Sequence, residues 1–154
     1  CPDRTFAILE ARPTLGGTWD LFRYPGIRSD SDMFTLGFAF KPWRDAKAIA
    51  DGPSILAYLK ETAEEFDLTR RIRFNSRVVA AAWDSIEKRW RLSVDGPDGP
   101  SRAFCRFLVV CSGYYRYDAG FTPPFDGREL FQGPIVHPQD WPATLDHAGK
   151  RVVV

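Results

Sequence analysis

The residues able to do chemistry in this chain gather at three places. The first is Glu10, which closes the nearly continuous apolar run Thr5 to Glu10. Such a run reads as a strand buried on both faces of a parallel sheet. A carboxylate at the carboxyl end of that strand stands at the sheet rim, where it can accept hydrogen bonds from the two ribose hydroxyls of an adenosine. A solvated strand end would look the same. The loop Arg12-Pro13-Thr14-Leu15-Gly16-Gly17 then leads into Thr18-Trp19. Paired glycines let a backbone approach a pyrophosphate and cradle anionic oxygens with their N–H groups, or they make a plain tight turn beside a buried Trp. The second place is Ser112-Gly113, behind the apolar run Phe107 to Cys111. It is either another close backbone approach or a turn that ends a strand. The third and densest is Phe131-Gln132-Gly133-Pro134-Ile135-Val136-His137-Pro138-Gln139-Asp140-Trp141-Pro142. His137 there, flanked by Pro138 and near Trp141, reads as a packed and hydrogen-bonded ring as readily as a functional one.

The elements that position these residues follow from periodicity. Residues 18–45 are irregular, with Trp19, Phe22, Tyr24, Phe34, Phe38, Phe40 and Trp43 among Asp30, Ser31 and Asp32. A segment of that length without a period usually carries function. Asp51-Gly52-Pro53-Ser54 starts a helix, with Pro53 at the first helical position. Ile55, Leu56, Leu59, Ala63 and Phe66 then recur at helical spacing, and Lys60, Glu61, Glu64 and Glu65 face outward. Strands are expected over Ile72 to Trp83, over Arg89 to Asp95, where Trp90, Leu92 and Val94 alternate with Arg89, Arg91 and Ser93, and over Arg102 to Cys111. Asp95-Gly96-Pro97-Asp98-Gly99-Pro100 reads as a hairpin connection, and Lys150 to Val154 as the start of another buried strand.

Composition narrows the function classes. The 154 residues carry 21 Lys and Arg against 20 Asp and Glu, a net charge of +1. Such a balance argues against a nucleic-acid partner, whose phosphates call for an excess of cations. The 44% hydrophobic and 27% charged fractions are those of a globular chain. No apolar run approaches the ~18 residues of a membrane span. Three cysteines, Cys1, Cys105 and Cys111, make no closed disulfide framework, so reduced thiols and a cytoplasmic location are expected. No metal site is read. The chain starts on Cys1, has Met33 as its only Met and ends on Val152-Val153-Val154, which reads as a piece of a longer protein.

The stretch from Phe131 to Pro142 matches Phe-x-Gly-x-x-x-His-x-x-x-Trp-Pro, the fingerprint of type I Baeyer–Villiger monooxygenases, at every fixed position. By average residue usage a chance match has odds on the order of 10⁻⁷ per starting position. Gly17-Thr18-Trp19 and Arg23-Tyr24-Pro25-Gly26-Ile27-Arg28-Ser29-Asp30 resemble the flavin-side motifs of the same family, in the same order. The chain therefore resembles type I Baeyer–Villiger and flavin-containing monooxygenases over essentially its whole length. Through Asp20-Leu21-Phe22-Arg23-Tyr24-Pro25 and on to Met33 it is most similar to the ethionamide-activating subgroup.

The resemblance implies an α/β fold, a partial FAD-binding Rossmann-like domain of a flavoprotein with two dinucleotide-binding domains. Its parallel sheet would contain residues 5–10 and 107–111, beside an antiparallel pair around 72–95. Residues 1–130 would belong to the FAD domain, 131–149 to a linker, and 150–154 to the first strand of the NADPH domain. The implied cofactors are FAD and NADPH. The implied reaction uses O₂, through a C4a-peroxyflavin, to insert oxygen into a ketone or to oxygenate a thioether or thioamide.

Residue by residue, the resemblance gives Glu10 the adenosine ribose of FAD, and Gly17, Thr18, Trp19, Asp20 and Leu21 the flavin side. Val78 would offer its backbone to the adenine, and Ser112 and Gly113 approach the cofactor. Arg28, Ser29 and Asp30 would lie where flavin and nicotinamide meet, Asp30 with a catalytic part. His137 would couple cofactor binding to domain movement. Both Gly-rich phosphate loops of the family would fall outside this sequence, as would its flavin-side arginine, so neither Arg23 nor Arg28 inherits that role, and the piece alone is expected to be inactive. Two alternatives stay open: a flavin N-/S-oxygenase or N-hydroxylase, and a truncated, non-catalytic domain that binds a partner through the aromatic 19–43 segment. Membrane association and oligomeric state are also left open.

Overall fold

The computed structural model describes residues 3–154. Cys1 lies outside them, and Cys105 and Cys111 are free thiols. By their contacts the residues divide into two compact units. One is built from the chain up to Gly17 and from Ile55–Tyr114, the other from Thr18–Ser54 and Tyr115–Val154.

The first unit holds two sheets. Strand β1 (Ile8–Leu9) pairs in parallel with β2 (Ile72–Arg73), Ile8 opposite Ile72. Helix α3 (Gly52–Glu65) lies in the connection between these strands, as parallel pairing requires a long crossover. Its buried positions Ile55, Tyr58, Thr62 and Ala63 repeat at helical spacing, while Lys60, Glu61, Glu64 and Glu65 are exposed as expected. Thr62 tolerates burial because its hydroxyl donates to the Tyr58 carbonyl at 2.6 Å. Phe66, expected on the apolar face, stays 41% exposed, beyond the last helical turn.

Strands β3 (Arg77–Asp84), β4 (Arg89–Gly96) and β5 (Gly99–Cys105) form an antiparallel meander. The expected Asp95–Pro100 hairpin joins β4 to β5, with Gly96 opposite Gly99. Alternation on β4 holds: Leu92 and Val94 are each 5% exposed, and Arg91 and Ser93 face outward. The Ile72–Trp83 run is two strands rather than one, because residues 74–76 turn between β2 and β3.

The second unit buries Phe22, Ile27, Met33, Trp43 and Ala50. The 18–45 segment is largely irregular, as read, but contains two single-turn helices, α1 (Thr18–Leu21) and α2 (Met33–Leu36). Asp32 starts α2 by accepting the Thr35 N–H at 2.9 Å. Asp51 caps α3 by accepting both the N–H and the hydroxyl of Ser54. Pro53 lies one residue inside the helix start.

Three further expectations need correction. Phe107–Cys111 is not a strand. Cys105 is opposite Trp90 and β4 begins at Arg89, so the chain after Cys105 runs past the end of its ladder partner. Apolar character supplies no hydrogen bonds of its own, and Phe107, Val109 and Val110 remain 72–80% exposed. The parallel partner of the opening strand is accordingly Ile72–Arg73, and that strand shortens from residues 5–10 to Ile8–Leu9. Lys150 to Val154 also forms no strand among the described residues, and Val153 is wholly exposed.

Candidate functional site

In the first unit the site begins at the end of β1. The Glu10 N–H donates to the Arg73 carbonyl at 3.0 Å, continuing the β1–β2 ladder by one step. The Glu10 carbonyl accepts from Ser76 N–H at 2.8 Å, and the Arg12 carbonyl from Asn75 N–H at 3.1 Å. The turn after β2 thus grips the strand end on both sides of Ala11. Glu10 is half-buried, and its Oε1 accepts the Arg12 N–H at 2.8 Å. Arg12 Nη1 in turn donates to the Gly17 carbonyl at 2.8 Å, which closes the 12–17 loop back onto the acid. Gly16 and Gly17 sit at φ 115° and 51°, conformations that an L side chain resists.

Val78, named above for an adenine contact, lies on β3 two positions after the Ser76 that grips Glu10. A register shift between Val78 and Ala80 leaves Val79 without a ladder partner, which is a β-bulge. Backbone groups at that point are therefore less committed to the sheet. Ser112 and Gly113 are exposed. Gly113 has φ 71° with no atom within 4 Å of a Cβ built on it.

In the second unit Thr18, Trp19, Asp20 and Leu21 form α1 and are all half-buried. The Thr18 hydroxyl is 3.0 Å from the Tyr117 hydroxyl. Phe22 seats the turn from behind, edge-on to Tyr115 at 5.2 Å and to Tyr24 at 6.2 Å. Arg23 is committed to Asp20, through the carbonyl at 2.8 Å and the carboxylate at 3.2 Å. An open depression of about 600 Å³ is lined by Tyr24, Gly26, Arg28, Ser29, Asp30 and Ile49. Ser29 is 2% exposed. Its N–H donates to the Ala50 carbonyl at 2.9 Å, and its hydroxyl donates to the Ser31 carbonyl at 2.6 Å. These bonds fix the bend on which Arg28 and Asp30 stand exposed. The backbone of Arg28 bridges that of Asp51. The Lys47 ammonium, then the Ser54 N–H and hydroxyl, hold the Asp51 carboxyl far below the usual carboxylate range.

His137 is half-buried and heads the 3₁₀ turn Pro138–Asp140; its Nδ1 accepts the Gln139 N–H at 3.1 Å. Trp141 packs edge-on against His147 at 5.7 Å. The Phe131 ring lies over Gly133.

The structure therefore groups Glu10, Gly17 and Val78 in one unit and Thr18 to Leu21, Arg28, Ser29, Asp30 and His137 in the other. Sequence reasoning missed Arg12 and Tyr117. Arg12 carried a signal, a cation two residues after the acid and five before the second glycine, but nothing local marked Tyr117 as the partner of Thr18.

The chain belongs to the flavin-binding monooxygenase-like family, whose profile matches residues 44–154. Among particular relatives, it is 55% identical to the FAD-containing monooxygenase EthA of Mycolicibacterium smegmatis over all 154 residues. It is 49% identical to the probable FAD-binding monooxygenase AlmA of Acinetobacter baylyi, over 99% of its length. The chain spans 31% of the length of each. The solved structure of an oxidized steroid monooxygenase bound to NADP superposes with a TM-score of 0.74 at 38% identity, over 92% of this chain and 27% of that one. A cyclohexanone monooxygenase bound to ε-caprolactone superposes with a TM-score of 0.73 at 27% identity, over 94% and 28%. The fold is thus the mixed α/β architecture of these flavin monooxygenases, a parallel pair and an antiparallel meander.

Proposed function

We propose that the protein containing this chain is an FAD- and NADPH-dependent monooxygenase that inserts oxygen into ketones or oxygenates sulfur compounds. The observation that carries the reading is the closed loop at the end of β1. Glu10 is held by backbone on both sides, and Arg12 ties its carboxylate and the Gly17 carbonyl into one arc. A carboxylate at a strand end, followed by two glycines in left-handed backbone, suits an adenosine ribose and its pyrophosphate. Names of relatives and of superposed structures that carry FAD or NADP support the same cofactors.

On this reading Glu10 accepts the ribose hydroxyls, and Gly16 and Gly17 bring backbone N–H groups toward anionic oxygens. The bulge beside Val78 presents backbone to the adenine, and Ser112-Gly113 adds a second approach. Thr18, Trp19, Asp20 and Leu21 line the flavin, with Phe22 backing them against water and Tyr117 orienting the Thr18 hydroxyl. The chemistry supplied by bound FAD is hydride acceptance from NADPH and activation of O₂. Arg28 and Asp30 stand on the bend fixed by Ser29, where the nicotinamide would meet the flavin, and Asp30 biases the local charge. His137 serves the linker of residues 131–149, between an FAD domain reaching to residue 130 and an NADPH domain from residue 150. A cytoplasmic location is part of the proposal; among the described residues no helix is long and apolar enough to cross a membrane.

The test is NADPH-dependent O₂ uptake by the full-length protein with a panel of ketones and thioethers. Flavin released by denaturation, together with ester, lactone or sulfoxide product, is the expected result. A colourless protein with no uptake would overturn the proposal.

A further inference from the structure

Glycine in a protein is usually there for its backbone, but Gly120 has no left-handed φ. What it lacks is room. A Cβ built on Gly120 would fall 2.3 Å from Cε1, 2.4 Å from Nδ1 and 2.6 Å from Nε2 of His137. Three ring atoms at nearly equal distances mean that the flat of the imidazole covers the side of Gly120 where a Cβ would stand. No Cβ survives below 3.0 Å of another heavy atom.

Yielding is not cheap for this ring. Moving Cε1 from 2.3 Å to the 3.4 Å of ordinary contact displaces it by about 1.1 Å. A shift of that size along the ring normal would lengthen the 3.1 Å bond from Gln139 N–H to Nδ1 to about 3.3 Å and tip its donor out of the imidazole plane, where Nδ1 accepts poorly. That bond also sets the tautomer: with Nδ1 accepting, the neutral ring carries its proton on Nε2.

We infer that Gly120 is a positioning residue for His137, its bare backbone and the Gln139 N–H together fixing the plane and tautomer of the imidazole. The Nε2–H is thereby left as a donor of set direction, suited to a carbonyl or anionic oxygen. The inference rests on the proposed function only for what His137 serves; the contact stands without it.

The experiment is a double-mutant cycle in the full-length protein with Gly120→Ala, His137→Ala and the pair. Gly120→Ala is expected to lower Tm by several degrees, and His137→Ala, which vacates the ring's space, to restore most of that loss in the double variant. If Gly120→Ala does not fold, recovery of folding by the added His137→Ala is the same result. Additive losses, or no recovery, would overturn the inference. ¹⁵N-histidine spectra, assigned with His137→Gln, give a readout that a generic packing defect would not move. The wild type should show His137 as a single Nε2–H tautomer, and folded Gly120→Ala a mixture; an unchanged signal in that variant refutes the assignment. Neither measurement needs turnover, so a wild type without NADPH oxidation defeats the proposed function alone.

Discussion

Gly16→Ala puts the closed loop behind Glu10 to the most direct test. Gly16 sits at φ 115°, in left-handed backbone but beyond the narrow well that non-glycine residues visit there, and holding an Ala there costs about 1–3 kcal/mol. The loop cannot relax freely, because Arg12 bonds the Gly17 carbonyl at one end and Glu10 bonds the Arg12 N–H at the other. Taking about 2 kcal/mol as the centre of that range, the competent loop shape becomes about thirtyfold rarer. Apparent affinity for FAD falls by the same factor when binding needs that shape. Titrating apo full-length protein with FAD, followed by flavin fluorescence, measures the change. Gly149→Ala is the control, since Gly149 also has a left-handed φ of 70° and open space around it, but lies far along the chain from the loop. Wild-type affinity in folded Gly16→Ala, or an equal loss in Gly149→Ala, would refute the reasoning.

Other outcomes follow from the same geometry. Arg12→Met leaves the Gly17 carbonyl without its charged donor, a net loss of about 1.5–3 kcal/mol for such a bond, and should quicken flavin release in mild urea; an unchanged release rate counts against the latch. Asp30→Ala in the full-length protein should slow flavin reduction by NADPH or the oxygenation that follows, by stopped-flow absorbance, and unaltered kinetics would remove Asp30 from the mechanism. The Asp51 carboxyl is depressed below its ordinary value of 3.8. Its contribution to stability is therefore full above that pH and lost as pH falls toward the folded value. Asp51→Asn should flatten the acid limb of a urea-stability profile below about pH 4 and leave the rest of its shape alone. Asp84, lowered mainly by the Glu87 N–H, should behave likewise at the β3–β4 turn.

Legibility in the sequence tracked distance along the chain. The α3 cap at Asp51, the outward charges of the helix, the alternation on β4 and the Asp95–Pro100 hairpin were readable because each rests on neighbours a few residues apart. Glu10 at a strand end and the Phe131–Pro142 spacing were readable for the same reason. The Phe107–Cys111 strand was misread because a strand needs a partner, and hydropathy names none.

What the sequence determined by itself is therefore the set of local devices, caps, turns and amphipathic faces, together with membership in a flavin monooxygenase family. Only the tertiary structure decided that β1 pairs with Ile72–Arg73, that Thr18 meets Tyr117, and that Gly120 lies against His137. Such pairings join segments whose separation along the chain carries no periodic signal. They are selected by which surfaces fit once the local elements have formed, and that fit exists only in three dimensions.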